Sequence, residues 1–91
     1  MAEGNEPRPF VPQVIDFTAT TTGGGNVNYD FPRNVIVLSA WVSSSDIIVT
    51  PFPTGGATAI GATRWWFQSF KCNASHEVVA NTQLTFFVTY I

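Results

Sequence analysis

The chain has 91 residues, enough for one domain, and it is 45% hydrophobic and 14% aromatic but only 11% charged. Charged residues make up about 25% of an ordinary soluble domain. Three Trp, eight Phe and two Tyr exceed what a body of this size can bury together with its aliphatic residues. We therefore expect some of them to contact other copies of the chain in a homo-oligomer.

Charge and cysteine content argue against several classes of protein. The net charge is −2 and the four basic residues are scattered, whereas nucleic-acid binding needs a clustered basic surface. Cys72 is the single cysteine, which excludes an intrachain disulfide and a thiolate zinc site, and we expect it to be buried. No run approaches the roughly 20 apolar residues of a membrane helix, and the N-terminus lacks the pattern of a signal peptide. These features predict a chain made in the cytoplasm and not inserted in a membrane.

Residues 1–12, with the sequence MAEGNEPRPFVP, have no strand or helix periodicity and contain three prolines. Because proline fixes φ and donates no backbone hydrogen bond, this segment is predicted to be an extended arm outside the sheets. The arm is either a flexible terminus or a peptide that docks on a neighbouring chain. Phe10 and Val11 favour docking.

Six runs rich in Val, Ile, Thr, Phe and Trp follow, and each is predicted to be a strand because turn-forming residues bound it. The predicted strands are residues 14–21, 26–29, 34–43, 47–50, 64–73 and 83–91. Turns are expected at residues 22–25, 30–33, 43–46, 51–56 and 73–76, where Gly, Pro, Asn, Asp or Ser cluster. No segment has a helical period.

The third and the last predicted strands are apolar on both faces. Alternation along the third strand places Ile36, Leu38, Ala40 and Val42 on one face and Val35, Val37 and Trp41 on the other. In the last strand it places Leu84, Phe86, Val88 and Tyr90 on one face and Phe87 and Ile91 on the other. A strand that is apolar on both faces needs a packing partner on each. The pattern predicts an all-β fold, a six-stranded antiparallel β-sandwich whose outer face meets another subunit.

The sequence offers little that could catalyse a reaction. His76 is the single histidine, and its nearest carboxylate along the chain is the adjacent Glu77. The serines lack a nucleophile-elbow motif, and the glycine runs open no helix that could bind phosphate. The acidic residues are too dispersed for a calcium loop. We expect no enzyme and no metal or cofactor site.

The segments RWWFQ at residues 64–68 and CNASHE at residues 72–77 are the best candidates for binding. Two consecutive tryptophans on a strand face opposite ways, so one can enter the core while the other reaches a subunit or a ligand. One interpretation is core plus interface. The other is a sugar platform, in which aromatic rings stack on a pyranose and polar groups bind its hydroxyls. The candidate carbohydrate-binding residues are Arg64, Trp65, Asn73, Ser75, His76 and Glu77.

The order of several landmarks resembles the H-type lectin domain and the related tip domains of bacteriophage tail fibres. The landmarks are the strand FPRNVIVLS at residues 31–39, the segment FQSFKCNASH at residues 67–76, and the closing strand at residues 84–91. The resemblance covers residues 13–91, which is nearly all of the chain except the arm.

The resemblance implies a six-stranded antiparallel sandwich assembled as a parallel homotrimer, with shallow sugar sites at the subunit boundaries. His76 matches the sugar-contacting histidine of these lectins, and Arg64 is our candidate for their sugar-binding arginine. Ser75 stands where the lectins have an aromatic residue, and this departure weakens the case for N-acetylgalactosamine as the ligand.

Two functions follow as hypotheses. The first is a trimeric, lectin-like receptor-recognition protein of a phage-like particle, located in the virion. It would bind a surface glycan of the host cell and dock on another virion protein through residues 1–12. The alternative is a structural virion protein without sugar-binding activity, such as a collar, decoration or fibre-anchoring protein.

Overall fold

The computed structural model describes residues 11–54 and 61–91, and both ranges consist of strands and their connections, without a helix. The strands are β1 (Gln13–Thr20), β2 (Asn26–Val35), β3 (Val37–Val42), β4 (Ile47–Thr54), β5 (Ala62–Lys71) and β6 (Gln83–Tyr90). Residues 1–10 of the predicted arm lie outside the described residues. Its last two residues, Val11 and Pro12, are exposed and precede β1.

The six strands form two antiparallel sheets of three strands each. The order is β1-β6-β3 in one sheet and β2-β5-β4 in the other. Side chains from both sheets meet in one hydrophobic core, as in a β-sandwich. The predicted all-β class and the six antiparallel strands are confirmed.

Aromatic rings from both sheets connect the two layers of the core. The Phe17 ring, on β1, stacks on Tyr29 of β2 with 4.5 Å between centroids and on Phe86 of β6 with 5.3 Å. Phe67 and Phe86 have no exposed surface. On β6 the predicted alternation is confirmed, because Leu84, Phe86, Val88 and Tyr90 all pack in this core.

The chain between residues 30 and 37 differs from the prediction. Instead of turning at residues 30–33, β2 continues to Val35, with an irregular register between Asp30 and Val35. The predicted third strand is divided at Ile36, whose backbone N–H and C=O both bond to Ile91, at 3.0 Å. The chain therefore leaves one sheet and enters the other within a single residue.

An irregularity in β3 makes the predicted faces of that strand wrong in part, although Ala40 and Val42 do lie opposite Trp41 as predicted. The register with β6 shifts between Val37 and Ser39, so Leu38 is the extra residue of a bulge. Val37 and Val42 are both buried, although simple alternation puts them on opposite faces. Leu38 is exposed for the same reason.

The predicted turn at residues 51–56 was also wrong in part, because β4 continues to Thr54; residues 55–56 lie outside the described residues. β4 is an edge strand of its sheet, and an edge strand tolerates proline where its nitrogen points away from the partner. Pro51 and Pro53 are two residues apart, so the nitrogens of both can point away from β5. This extension places Phe52 on a strand.

Cys72 is exposed, and the prediction of a buried cysteine was wrong. The residue follows the last residue of β5, where the chain turns away from the core, and its N–H donates to the Asp46 carbonyl at 2.7 Å.

Candidate functional site

The outer surface of the β2-β5-β4 sheet is centred on Trp66, which lies between Asn28 of β2 and Phe52 of β4 in the strand register. Residues two apart on a strand share a face, so two further rows flank this one. They are Asp30–Arg64–Thr54 on one side and Asn26–Gln68–Thr50 on the other. We call this surface of three rows the Trp66 face.

The two consecutive tryptophans take opposite roles. Trp65 is 6% exposed and its indole N–H donates to the Ala62 carbonyl at 3.0 Å. Trp66 is 43% exposed, and no described residue accepts a hydrogen bond from its indole. A buried indole cannot stack on a ligand at the surface, so Trp66 replaces Trp65 in the candidate site.

Two open hollows flank Trp66. The first has a volume of about 430 Å³, and Thr20, Thr22, Asn26, Asn28 and Trp66 are among the residues that line it. The second has a volume of about 380 Å³ and is lined by Asn26, Phe52, Pro53, Thr54, Trp66 and Gln68. Both hollows are open to solvent, so a ligand bound in either would stay partly exposed.

Arg64 is held next to Trp66 by a carboxylate. Its Nε donates to Asp30 Oδ1 at 2.7 Å and its Nη2 donates to Asp30 Oδ2 at 3.2 Å. These hydrogen bonds hold the pKa of the Asp30 carboxyl below its ordinary value and raise the pKa of Arg64. Both side chains are more than half exposed, so the pair contributes little to stability. Its main effect is to fix the direction of the guanidinium.

Three amide side chains complete the polar part of the Trp66 face. Gln68 Nε2 donates to the Gly24 carbonyl at 3.1 Å. The Asn28 side chain is exposed and makes no hydrogen bond to another described residue. Asn26 Oδ1 is buried without a partner, which is uncommon for a buried polar atom. The face therefore has hydrogen-bonding capacity that the described residues leave unused.

The predicted residues after β5 form a separate exposed turn. Asn73 Oδ1 accepts from the backbone N–H of Ser75 at 3.1 Å and of His76 at 2.9 Å. This Asx turn lets His76 adopt φ of 49°. Glu77 lies 3.6 Å from the Lys71 ammonium. The Asn73 oxygen thus has a structural role, while the side chains of Ser75 and His76 face solvent.

The structure does not bring the two groups of predicted residues together. Trp66 precedes the end of β5 by five residues, or about 16 Å at the usual rise of a strand. Arg64 lies on the Trp66 face, whereas Asn73, Ser75, His76 and Glu77 lie beyond the end of the strand. Sequence reasoning missed Asn28 and Phe52, because only the strand register makes them neighbours of Trp66.

The outer surface of the β1-β6-β3 sheet carries several large apolar side chains beside Asp16 and threonines, since Asp16 pairs with Phe87 and Val14 with Thr89. Trp41 and Phe87 are paired across β3 and β6, and their rings stack with 5.8 Å between centroids. Val14 and Leu38 are also exposed on this sheet, and Trp41 is 42% exposed. We call the surface of Val14, Leu38, Trp41 and Phe87 the Trp41 face. It differs from the Trp66 face in lacking amides and cations.

In the described ranges, no group of three or more His, Cys, Asp and Glu is placed to hold a metal ion. Residues 11–54 and 61–91 contain no helix that is long and apolar enough to cross a membrane. No protein-family model, curated protein or solved structure matches the chain.

Proposed function

We propose that the chain is a carbohydrate-binding protein that recognises a host-surface glycan for a phage-like particle, and that the Trp66 face is its binding surface. The observation that carries this proposal is the exposed indole of Trp66 in one row with Asn28 and Phe52. The resemblance to H-type lectins and phage tail-fibre tips supports the same class of ligand.

The chemistry of the Trp66 face suits a sugar. The C–H face of a pyranose is apolar and stacks on an aromatic ring, and its hydroxyls need donors and acceptors at the edge of that ring. Trp66 and Phe52 supply exposed rings, while Asn28 supplies an amide with free hydrogen-bonding groups. Arg64 is held in a fixed direction by Asp30, so binding requires little further ordering of that side chain.

A titration with glycans identified on an array tests the proposal. Trp66→Ala should weaken binding at least tenfold, because it removes the stacking surface. Ile36→Ala is the control, because Ile36 is 38% exposed and lies in neither the Trp66 face nor the Trp41 face. Trp66→Phe keeps an aromatic ring and should therefore retain part of the affinity. This variant distinguishes loss of stacking from a folding defect in Trp66→Ala. Equal binding by the wild type and Trp66→Ala would exclude this site, and no binding to any glycan would exclude the function.

We further propose that the chain acts as a parallel homotrimer. The exposed Trp41 face supports association, because an exposed patch of large apolar side chains commonly marks a protein contact. Three copies of a weak, open site would gain affinity for a repeated surface glycan through multivalency. Trimerisation thus fits the shallow form of the hollows beside Trp66.

The turn of Asn73, Ser75, His76 and Glu77 is a second candidate contact in this proposal, at the site implied by the lectin resemblance. His76→Ala should weaken glycan binding if the turn reaches the sugar across a subunit boundary. Unchanged binding by His76→Ala would remove the turn from the site and leave the Trp66 face untouched.

The alternative function is a structural virion protein without sugar-binding activity, and the Trp41 face favours it. In that case residues 1–12 dock on another virion protein, and deleting them should abolish attachment to the particle while leaving the oligomer intact. Attachment that survives the deletion would contradict this alternative.

A further inference from the structure

We propose that the Trp66 face binds at least two consecutive sugar units, one on each side of Trp66, and so selects an oligosaccharide or polysaccharide segment over a single sugar. This inference rests on the proposed carbohydrate-binding function. It adds the class of glycan and the positions of two subsites.

The arrangement of the hollows carries the inference. They have similar volumes, about 430 and 380 Å³. Both are lined by Asn26 and Trp66. Asn28 lines only the first hollow, and Phe52 lines only the second. Asn28 and Phe52 are the two cross-strand neighbours of Trp66, on β2 and β4. The hollows therefore lie on opposite sides of one indole, and a ligand that fills both must extend across it.

The two hollows offer different chemistry to the two units. The first is lined by Thr20, Thr22 and Asn28 beside Ala19 and Val27, and it suits a unit that combines hydroxyl contacts with some apolar contact. The second combines the rings of Phe52 and Pro53 with Gln68, and it suits a unit that packs its C–H face on apolar side chains. A single monosaccharide would leave one set of contacts unused.

Asn26 lies where the two units would meet. It is shared by both hollows, and its Oδ1 has no hydrogen-bond partner and is buried. A small reorientation of the side chain would expose an acceptor or a donor to the linkage region of a bound disaccharide. This provides a use for a polar atom that the fold itself does not satisfy.

The test measures binding as a function of chain length. The probes are size-graded series of one to six residues of hexose, N-acetylhexosamine, 6-deoxyhexose and uronic acid homopolymers, first on an array and then in solution titrations. We expect affinity to rise at least tenfold from one sugar unit to two and to change little beyond three units. Affinity that is already maximal for the monosaccharide would overturn the inference and leave the proposed function standing. Absence of binding to every series and to every other glycan on the array would overturn the proposed function.

Two variants locate the subsites. Asn28→Ala and Phe52→Ala each remove a side chain that lines one hollow, and both residues are exposed, so the fold should tolerate the changes. Each variant should lose the gain in affinity that the wild type shows between one and two sugar units. Ile36→Ala, outside both the Trp66 face and the Trp41 face, should keep that gain. A gain that persists in both Asn28→Ala and Phe52→Ala would place the second unit elsewhere and contradict the inference.

Discussion

Thr21 joins two distant parts of the chain through one hydroxyl. The residue is 2% exposed and follows β1. Its Oγ1 donates to the Val79 carbonyl at 2.6 Å and accepts from the Thr82 N–H at 3.0 Å. The segment that leads into β6 is thereby fixed against the end of β1. Because the hydrogen bond to the Val79 carbonyl is buried, losing the hydroxyl should be costly.

Thr21→Val keeps the shape of the side chain but leaves the Val79 carbonyl and the Thr82 N–H without their partner. We expect the free energy of unfolding to fall by about 1–3 kcal/mol, measured by urea denaturation. Thr18→Val is the control, because the exposed Thr18 hydroxyl contacts the Thr85 hydroxyl and its loss should change stability by less than about 0.5 kcal/mol. Equal losses in the two variants would contradict the role given to Thr21.

Gly61 is required by its backbone conformation and by its surroundings. Its φ is +104°, and a Cβ at this position would lie 2.1 Å from the Val35 carbonyl oxygen. Gly61→Ala should therefore lower the free energy of unfolding by about 3 kcal/mol or more, through backbone strain and steric overlap. Thermal and urea unfolding of the variant measure this loss.

Gly23→Ala is the matched control for Gly61→Ala. A Cβ on Gly23 would meet no atom within 4 Å, so this change should alter stability by less than about 0.5 kcal/mol. If Gly61→Ala were as stable as Gly23→Ala, this result would contradict the close approach of residue 61 to the end of β2.

At the scale of strands, periodicity predicted most of the elements but not their irregularities. The alternation of β6 identified its core face correctly, since Phe86 and Val88 are both fully buried. Alternation failed at Leu38 because a bulge adds one residue to β3 against its partner. The turn predicted at residues 51–56 was wrong in part because proline is a turn former in general but is accepted on an edge strand. Bulges and edges depend on pairing between strands, which a single strand does not encode.

The candidate site could be predicted only in part for the same reason. The adjacent tryptophans indicated that one ring enters the core and the other reaches the surface. Which of them does so depends on the register of β5, which buries Trp65. Asn28 and Phe52 become neighbours of Trp66 through pairing with β2 and β4. The sequence around each residue alone gives no sign of this contact.

The cross-strand pair of Asp30 and Arg64 makes a prediction about pH. The hydrogen bond from Arg64 lowers the pKa of the folded-state Asp30 carboxyl below its unfolded value. Its contribution to stability is therefore present above the unfolded pKa of about 4 and is lost as pH falls through the lowered folded pKa. The contribution should be small because both side chains are exposed.

Thermal unfolding of the wild type and Asp30→Asn, from about pH 7 to about pH 2, measures this effect. The wild type should have the higher Tm at neutral pH, and the difference should close below about pH 4. High salt should reduce the difference because it screens exposed charges. A difference in Tm that stays constant across the whole range would show that the carboxylate charge is not its source.

At the scale of the whole molecule, the two outer surfaces of the sandwich suit different partners. The Trp66 face mixes rings with amides and a fixed guanidinium, whereas the Trp41 face has stacked rings beside aliphatic side chains. We assign the first to a glycan and the second to association. Under this proposal, a glycan and a neighbouring subunit would bind separate surfaces of one small domain.

Light scattering of the purified chain tests the association. We expect a mass of about three times the 9.9 kDa of one chain. Replacing both Trp41 and Phe87 with Ser should shift the mass toward that of a single chain, because the stacked apolar rings are lost. A wild-type chain that is folded and monomeric in dilute buffer would contradict the trimer.

The indole N–H signals of the three tryptophans provide the most direct test of glycan binding at the Trp66 face. In a nitrogen–proton correlation spectrum of the labelled chain, we expect an array-selected glycan to shift the Trp66 indole signal strongly. The buried, hydrogen-bonded indole of Trp65 should shift less, and the Trp41 signal should stay in place. A saturating glycan that moves the Trp41 signal, or that moves none of the three signals, would contradict glycan binding at the Trp66 face.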